Sequence, residues 1–190
     1  RFLVDGASPR WSPDGTRIVY TAEGEPAGAQ LFVRWMDAEG AISQITHETE
    51  TPSNFKWGPD SRFVYFQRLV PSTTSWTVDL PAAPEGANWT PAPRVVDRMH
   101  YRADGVGFLD DGWNHLFRVP ADGGTALQLT RGEFHVGASF IPGVGGAGYD
   151  ISPDGRTLVF DGLMEDTDLS YRESHIWAID IESGVARQLT

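Results

Sequence analysis

Cysteine is absent from the 190 residues. That excludes a disulfide framework, a thiolate metal site and a cysteine nucleophile. It leaves the compartment open, because a chain without cysteine suits a bacterial cytoplasm and a periplasm alike. Lysine is nearly absent too. Lys56 is the one lysine among 15 basic side chains, set against 26 acidic ones for a net charge of −11. Such a chain has no basic stripe to neutralise phosphates, which argues against a nucleic-acid partner and against an anionic membrane surface. No run of eighteen apolar residues occurs, so no helix of the chain spans a bilayer. No segment keeps an apolar stripe at i, i+3, i+4 and i+7 between caps, so almost no helix is expected. Arg1 opens the chain without an initiator methionine or a signal peptide, which reads as a piece of a longer polypeptide.

What is plentiful points the other way. There are 21 glycines, 13 prolines, seven tryptophans, ten phenylalanines and five tyrosines. Glycine and proline well above average usage, together with many aromatics, imply short strands and tight turns. The strands repeat. Ser12-Pro13-Asp14-Gly15 returns as Ser152-Pro153-Asp154-Gly155, with a weaker copy at Gly58-Pro59-Asp60-Ser61. The offsets fit a period of about 47, and Ala103-Asp104-Gly105 stands where another unit would open. Each unit closes on a second signal: Ser43-Gln44-Ile45-Thr46, Leu127-Gln128-Leu129-Thr130 and Arg187-Gln188-Leu189-Thr190. Gln30-Leu31-Phe32, His115-Leu116-Phe117 and His175-Ile176-Trp177 precede these closings at matching distances, with an acidic-glycine turn between.

The turns have a mechanical reading. Serine opens a type I turn, proline fixes φ at the next position, and glycine ends it with a conformation that re-registers a hairpin. Ser61 replaces that glycine, so the turn should be strained or altered there. Asp14, Asp60 and Asp154 are accounted for by turn chemistry. Four strands in about 47 residues is the size of a β-propeller blade, and a blade buried on both faces explains apolar runs in place of strict alternation. The expected fold is all-β: blades of four antiparallel strands, about four of them, spanning 5–46, 52–98, 99–130 and 136–190, within a larger ring of seven or eight. The stretch from Pro81 to Pro93 should be a loop around Trp89. Glycine-rich residues 137–148 should be a loop entering the fourth blade, and Glu165 to Asp168 a solvated insertion.

These units resemble the TolB-type class of WD40-like repeats. The stretch Tyr101-Arg102-Ala103-Asp104-Gly105-Val106-Gly107-Phe108, then His115-Leu116-Phe117, Leu129-Thr130 and Arg131-Gly132-Glu133, is similar to the propeller of the prolyl-oligopeptidase (S9) family. The likeness is to its acylaminoacyl-peptidase and dipeptidyl-peptidase side. The resemblance implies a cap over an α/β-hydrolase domain of the same polypeptide, with a peptide as substrate and the Ser, Asp and His triad outside this chain. No G-x-S-x-G elbow occurs; Gly137-Ala138-Ser139-Phe140-Ile141 lacks the second glycine. No catalytic residue is therefore expected here. A second possibility is a TolB-like periplasmic propeller that binds protein and has no activity. A third, a propeller enzyme working through its own channel, needs clustered inner carboxylates that the sequence does not display.

His115 and His175 share a repeat position with Gln30, which favours a hydrogen bond at a strand start over catalysis. His47, His100 and His135 lack metal-ligand spacing, H-E-x-x-H is absent, and nothing calls for a metal or another cofactor. Residues 142–148 lack the lysine and helix of a phosphate loop. The polar residues that the repeat does not explain are Arg102, Glu133, His135, Glu165, Arg172 and Glu173. An arginine suits a substrate carboxylate and a glutamate a free amine, so these six are the substrate-binding candidates; ordinary solvated loops are the alternative.

Overall fold

The computed structural model describes residues 5–37, 40–72, 81–88, 90, 94–96, 101–137, 148–165 and 172–190, those at 164, 165, 172 and 173 by backbone alone. The expected loops at 138–147 and around Trp89, and the insertion at 166–168, lie outside the described residues. Every described element is a strand. The first sheet holds β1 (Ala7–Trp11), β2 (Arg17–Gly24), β3 (Gly28–Trp35) and β4 (Ile42–Gln44), hydrogen-bonded in that order. Next come β5 (Ser53–Trp57) and β6 (Phe63–Pro71), a separate hairpin of β7 (Arg102–Ala103) and β8 (Gly107–Phe108), and then β9 (Gly112–Pro120) and β10 (Leu127–Gln128). Last are β11 (His135–Val136), β12 (Tyr149–Ile151), β13 (Thr157–Glu165), β14 (Arg172–Asp180) and β15 (Ala186–Gln188).

Four-stranded antiparallel blades and an all-β chain are what the repeat implies. Their number and two of their boundaries differ from expectation. β5, β6, β9 and β10 make one sheet, in the order β10-β9-β6-β5. The units expected at 52–98 and 99–130 are therefore two halves of a single blade, and the described residues hold three blades. The physical reason lies in the β6–β9 ladder, which runs unbroken from Phe63↔Pro120 to Pro71↔Gly112. It encloses 72–111 as an insertion between the second and third strands. Ala103-Asp104-Gly105 is a local turn of the small hairpin, with Val106 N donating to the Ala103 carbonyl at 3.2 Å, and opens no blade.

In the third blade the innermost strand is split, and β11 and β12 both pair with β13. The break has counterparts. β1 and β5 carry register shifts at Ala7/Arg10 and Ser53/Lys56. Ser8, Asn54 and Gly148 each lie four residues before the blade's turn, and all are left-handed at φ 54, 47 and 56°. A bulge thus recurs in every innermost strand. In the third blade the chain departs at that point, with Gly137 N donating to the Asp161 carbonyl and Asp161 N to that of Gly148.

The blades pack face to face through two cores. Val19, Leu31 and Val33 meet Phe55, Val64, Phe66, Phe117 and Val119 in the first wedge. Tyr65, Leu116 and Leu129 meet Val136, Tyr149, Leu158, Phe160 and Ile179 in the second. The middle blade is buried on both sides, which is why Phe63 to Phe66 and Leu116 to Val119 read as continuous apolar runs. Each fully buried large side chain, Phe66 among them, contributes roughly 1.5–3 kcal/mol.

Candidate functional site

The blades have two unlike ends. One carries the Ser-Pro-Asp-Gly turns and the acidic-glycine turns. The other carries the β2–β3 turn, the insertion at 72–111, the β13–β14 connection and the links between blades. All six candidate residues fall at this second end. The pairs Glu165↔Arg172 and Met164↔Glu173 put three of them at the tip of the β13–β14 ladder, and His135↔Leu163 sets β11 beside it. Glu133 is exposed just before β11, and Arg102 is exposed on the separate hairpin.

His135 is committed elsewhere. It is buried, its Nδ1 accepts a hydrogen bond from Asn114 N at 3.2 Å, and its ring lies 4.9 Å from that of Trp113. An accepting Nδ1 requires a neutral ring. Below it is a buried polar layer that sequence reasoning missed. Asn54 donates to Gln67 Oε1 at 2.6 Å, Gln67 donates to the Val136 carbonyl at 3.2 Å, and Asn114 Oδ1 is buried without a hydrogen bond among the described residues. The Tyr149 hydroxyl reaches the carbonyls of Asn54 and Tyr65 at 2.7 and 3.1 Å. Burial, then the nearby Asp150 charge, pushes that hydroxyl's pKa well above the tyrosine range. Nothing in the repeat flags these residues, since they meet only when blades pack.

His115 has the structural role its repeat position implies. Its Nε2 donates to the Gly132 carbonyl at 3.1 Å, so Nδ1 accepts from Thr130 Oγ1, also at 3.1 Å. Thr130 Oγ1 in turn accepts from Leu116 N. Gln30 does the same work in the first blade, accepting from Thr46 Oγ1 at 2.9 Å while Leu31 N donates to that hydroxyl. In the third blade Ile176 N donates to Thr190 Oγ1. Burial drags the His115 pKa down to about 4, with the Arg131 and Arg68 charges adding to it.

A concave region at the same end comes from residues outside the candidate set. Glu50, Leu69, Pro71, Arg94, Asp110 and Asp111 line an open recess of about 530 Å³. Arg94 sits 5.4 Å over the Phe108 ring and donates to the Leu109 carbonyl, which ties the insertion to the foot of β9. Three carboxylates against one guanidinium make the recess attractive to a cation such as a free amine. The Asp110-Asp111 pair was the available sequence signal. Nearby, Arg68 Nε lies 2.7 Å from Glu48 Oε2, with its guanidinium 4.2 Å over Phe117. Among the described residues no group of three metal-ligating side chains is arranged to hold an ion.

No family model matches the chain. The uncharacterized peptidase YuxL of Bacillus subtilis (strain 168) is 26% identical over 164 residues, covering 84% of this chain and 22% of its own. Among solved structures, the Pyrococcus horikoshii acylaminoacyl peptidase superposes with a TM-score of 0.62 at 15% identity, over 100% of this chain and 26% of that one. A TolB-type protein of Agrobacterium tumefaciens gives 0.55 at 16%, over 100% and 52%. The solved structures establish the fold. The chain spans about a fifth of YuxL and a quarter of the acylaminoacyl peptidase.

Proposed function

We propose, on the premise that this chain is a propeller segment of the kind S9 peptidases carry, that it gates substrate entry to a serine-peptidase site elsewhere in the same polypeptide. The observation that carries the reading is the match to a peptidase along most of the chain, combined with blades that hold no nucleophile elbow. Acyl transfer runs on a Ser, Asp and His triad of an α/β-hydrolase domain. The propeller contributes exclusion: a ring over the site admits short peptides and flexible ends and rejects folded protein. At the insertion end, Glu133 and the recess at Glu50, Asp110 and Asp111 receive the amine end of a peptide. Arg102, with Arg172, receives a carboxylate, and Glu165 and Glu173 are further candidates for the amine.

Further blades complete the ring. Trp57 is 9% exposed, and its Nε1 donates to the Arg10 carbonyl of the preceding blade at 3.0 Å. Trp11, its repeat equivalent, is 58% exposed and waits for the same contact. Val159, Ile176 and Leu189 are bare on the far flank.

Fluorophosphonate labelling of the full-length protein tests the reading. A serine outside residues 1–190 should be labelled, and short blocked peptides should be cleaved while folded proteins are not. A full-length protein that takes no label overturns it. That outcome would favour the second reading, a protein-binding propeller without activity, which the TolB likeness supports.

A further inference from the structure

The two wedges between blades differ at the turn end, and the difference is chemical. In the first, Arg17 bridges the blades. Its guanidinium lies 3.1 Å from Asp122, donates to the Ser61 carbonyl at 2.6 Å and stacks 5.4 Å over Trp57. The repeat register puts Phe63 where Arg17 stands, Gly155 where Ser61 stands and Glu182 where Asp122 stands. The bridging arginine has thus been removed from the second wedge, while the acid and the backbone carbonyl remain. In its place is a cleft of about 630 Å³ lined by Arg62, Arg118 and Arg156, with Phe63 between them.

The three arginines are poised for a ligand. Arg118 and Arg62 lie 4.8 and 5.8 Å over the Phe63 ring, an arrangement that fixes the planar forks. Arg118 also stands beside Tyr65, whose hydroxyl pKa burial raises and the Arg118 charge lowers. None of the three forms an ion pair among the described residues. Asp180 and Glu182 stand on the opposite wall. Asp180 is occupied by its own turn, accepting from Ser183 N and Oγ at 2.8 and 2.7 Å. Three guanidinium groups thus face two carboxylates, those of Asp180 and Glu182, so the lining is net cationic in a chain whose net charge is −11.

We propose that this cleft binds a small oxyanion-bearing ligand, a phosphate or carboxylate compound, gripped by Arg62, Arg118 and Arg156. Its volume suits a metabolite-sized molecule, and arginine forks match both oxyanion geometries. The site lies at the end of the blades opposite the insertion, so it is independent of the gating role.

Arginine footprinting on the full chain tests it. Phenylglyoxal modification is mapped by mass spectrometry with and without pyrophosphate or citrate. Saturable protection of Arg62, Arg118 and Arg156, at least fivefold and with Arg10 and Arg187 unprotected, is the expected result, and the anion effective at lower concentration identifies the ligand geometry. Protection spread equally over all arginines, or none with either anion, overturns the proposal. Arg118→Gln should weaken the stronger anion at least tenfold and Arg187→Gln should leave it unchanged; equal affinities also overturn it. Should Arg118→Gln fail to fold, the wild-type footprint decides.

Discussion

Asp14 and Ser61, 47 positions apart, are joined across two blades by a hydrogen bond from the Asp14 amide to Ser61 Oγ at 3.1 Å. Ser61 occupies the turn position that glycine holds in the other units, at φ 58° against 71° for Gly15 and 70° for Gly155. The turn, expected to be strained or altered, keeps its shape and carries the strain, and the cost of a left-handed serine is offset by the clasp it makes. Ser61→Ala keeps the strain and loses the bond, so it should destabilise by about 1–2 kcal/mol. Ser61→Gly, which loses both, should cost less. Urea unfolding of the two variants measures the difference.

The His115 clamp carries a pH signature. Its folded pKa, about 4, lies below the ordinary 6.5, so the unfolded chain binds a proton that the folded chain refuses. Its contribution is fully present above pH 6.5 and is lost as pH falls toward 4, at about 1.4 kcal/mol per pH unit. His115→Gln, the residue the first blade uses, should fold and abolish that part of the slope. His115→Ala should leave Thr130 without its acceptor and cost about 2 kcal/mol or more. Denaturant midpoints between pH 4 and 7 check both.

Trp57 and Trp11 are the same repeat position in two surroundings. Trp57→Phe should cost about 1–2 kcal/mol through the lost bond to the Arg10 carbonyl and the reduced packing. Trp11→Ala should shift the stability of this chain by less than about 0.5 kcal/mol, as exposed sites do. In the full-length protein the same change should cost several times more if a preceding blade covers it. Comparing thermal midpoints in the two lengths reads the contact directly.

Replacing residues 73–110 by a two-residue turn should leave the middle blade standing. The β6–β9 ladder is complete without them, closing at Pro71↔Gly112 with Ser72 N donating to the Asp111 carbonyl. Far-ultraviolet circular dichroism should keep its β signature. In the full-length protein, selectivity for short peptides should fall.

Much of the blade was legible because its signals are local. A Ser-Pro-Asp-Gly turn or a Gln-Leu-Thr closing is read within four residues, and each proved to be a hydrogen-bonded device. The blade count was misread where a local signal mimicked the period: Ala103-Asp104-Gly105 falls at the right spacing yet turns only a two-residue hairpin. Register across β6 and β9 depends on pairing over an insertion, which no periodicity reveals. The bulges at Ser8 and Asn54 were hidden as well, because neither residue advertises a left-handed backbone as glycine does. Of the candidate site, the six polar residues were chosen because the repeat does not explain them, and that they share one end of the blades emerges only from the strand order. The acidic recess and the arginine cleft were not legible, since both arise only where separate strands converge.

The split innermost strand of the third blade has a consequence for how such a ring diversifies. At Gly137 and Gly148 the chain leaves and rejoins the sheet at the same residue of β13, held on both sides by Asp161. A segment tethered so can lengthen or shorten for an entropic cost that grows only with the logarithm of its length. The innermost strand of this blade can thus take up peptide of another length between Gly137 and Gly148 while its pairing with β13 keeps its register.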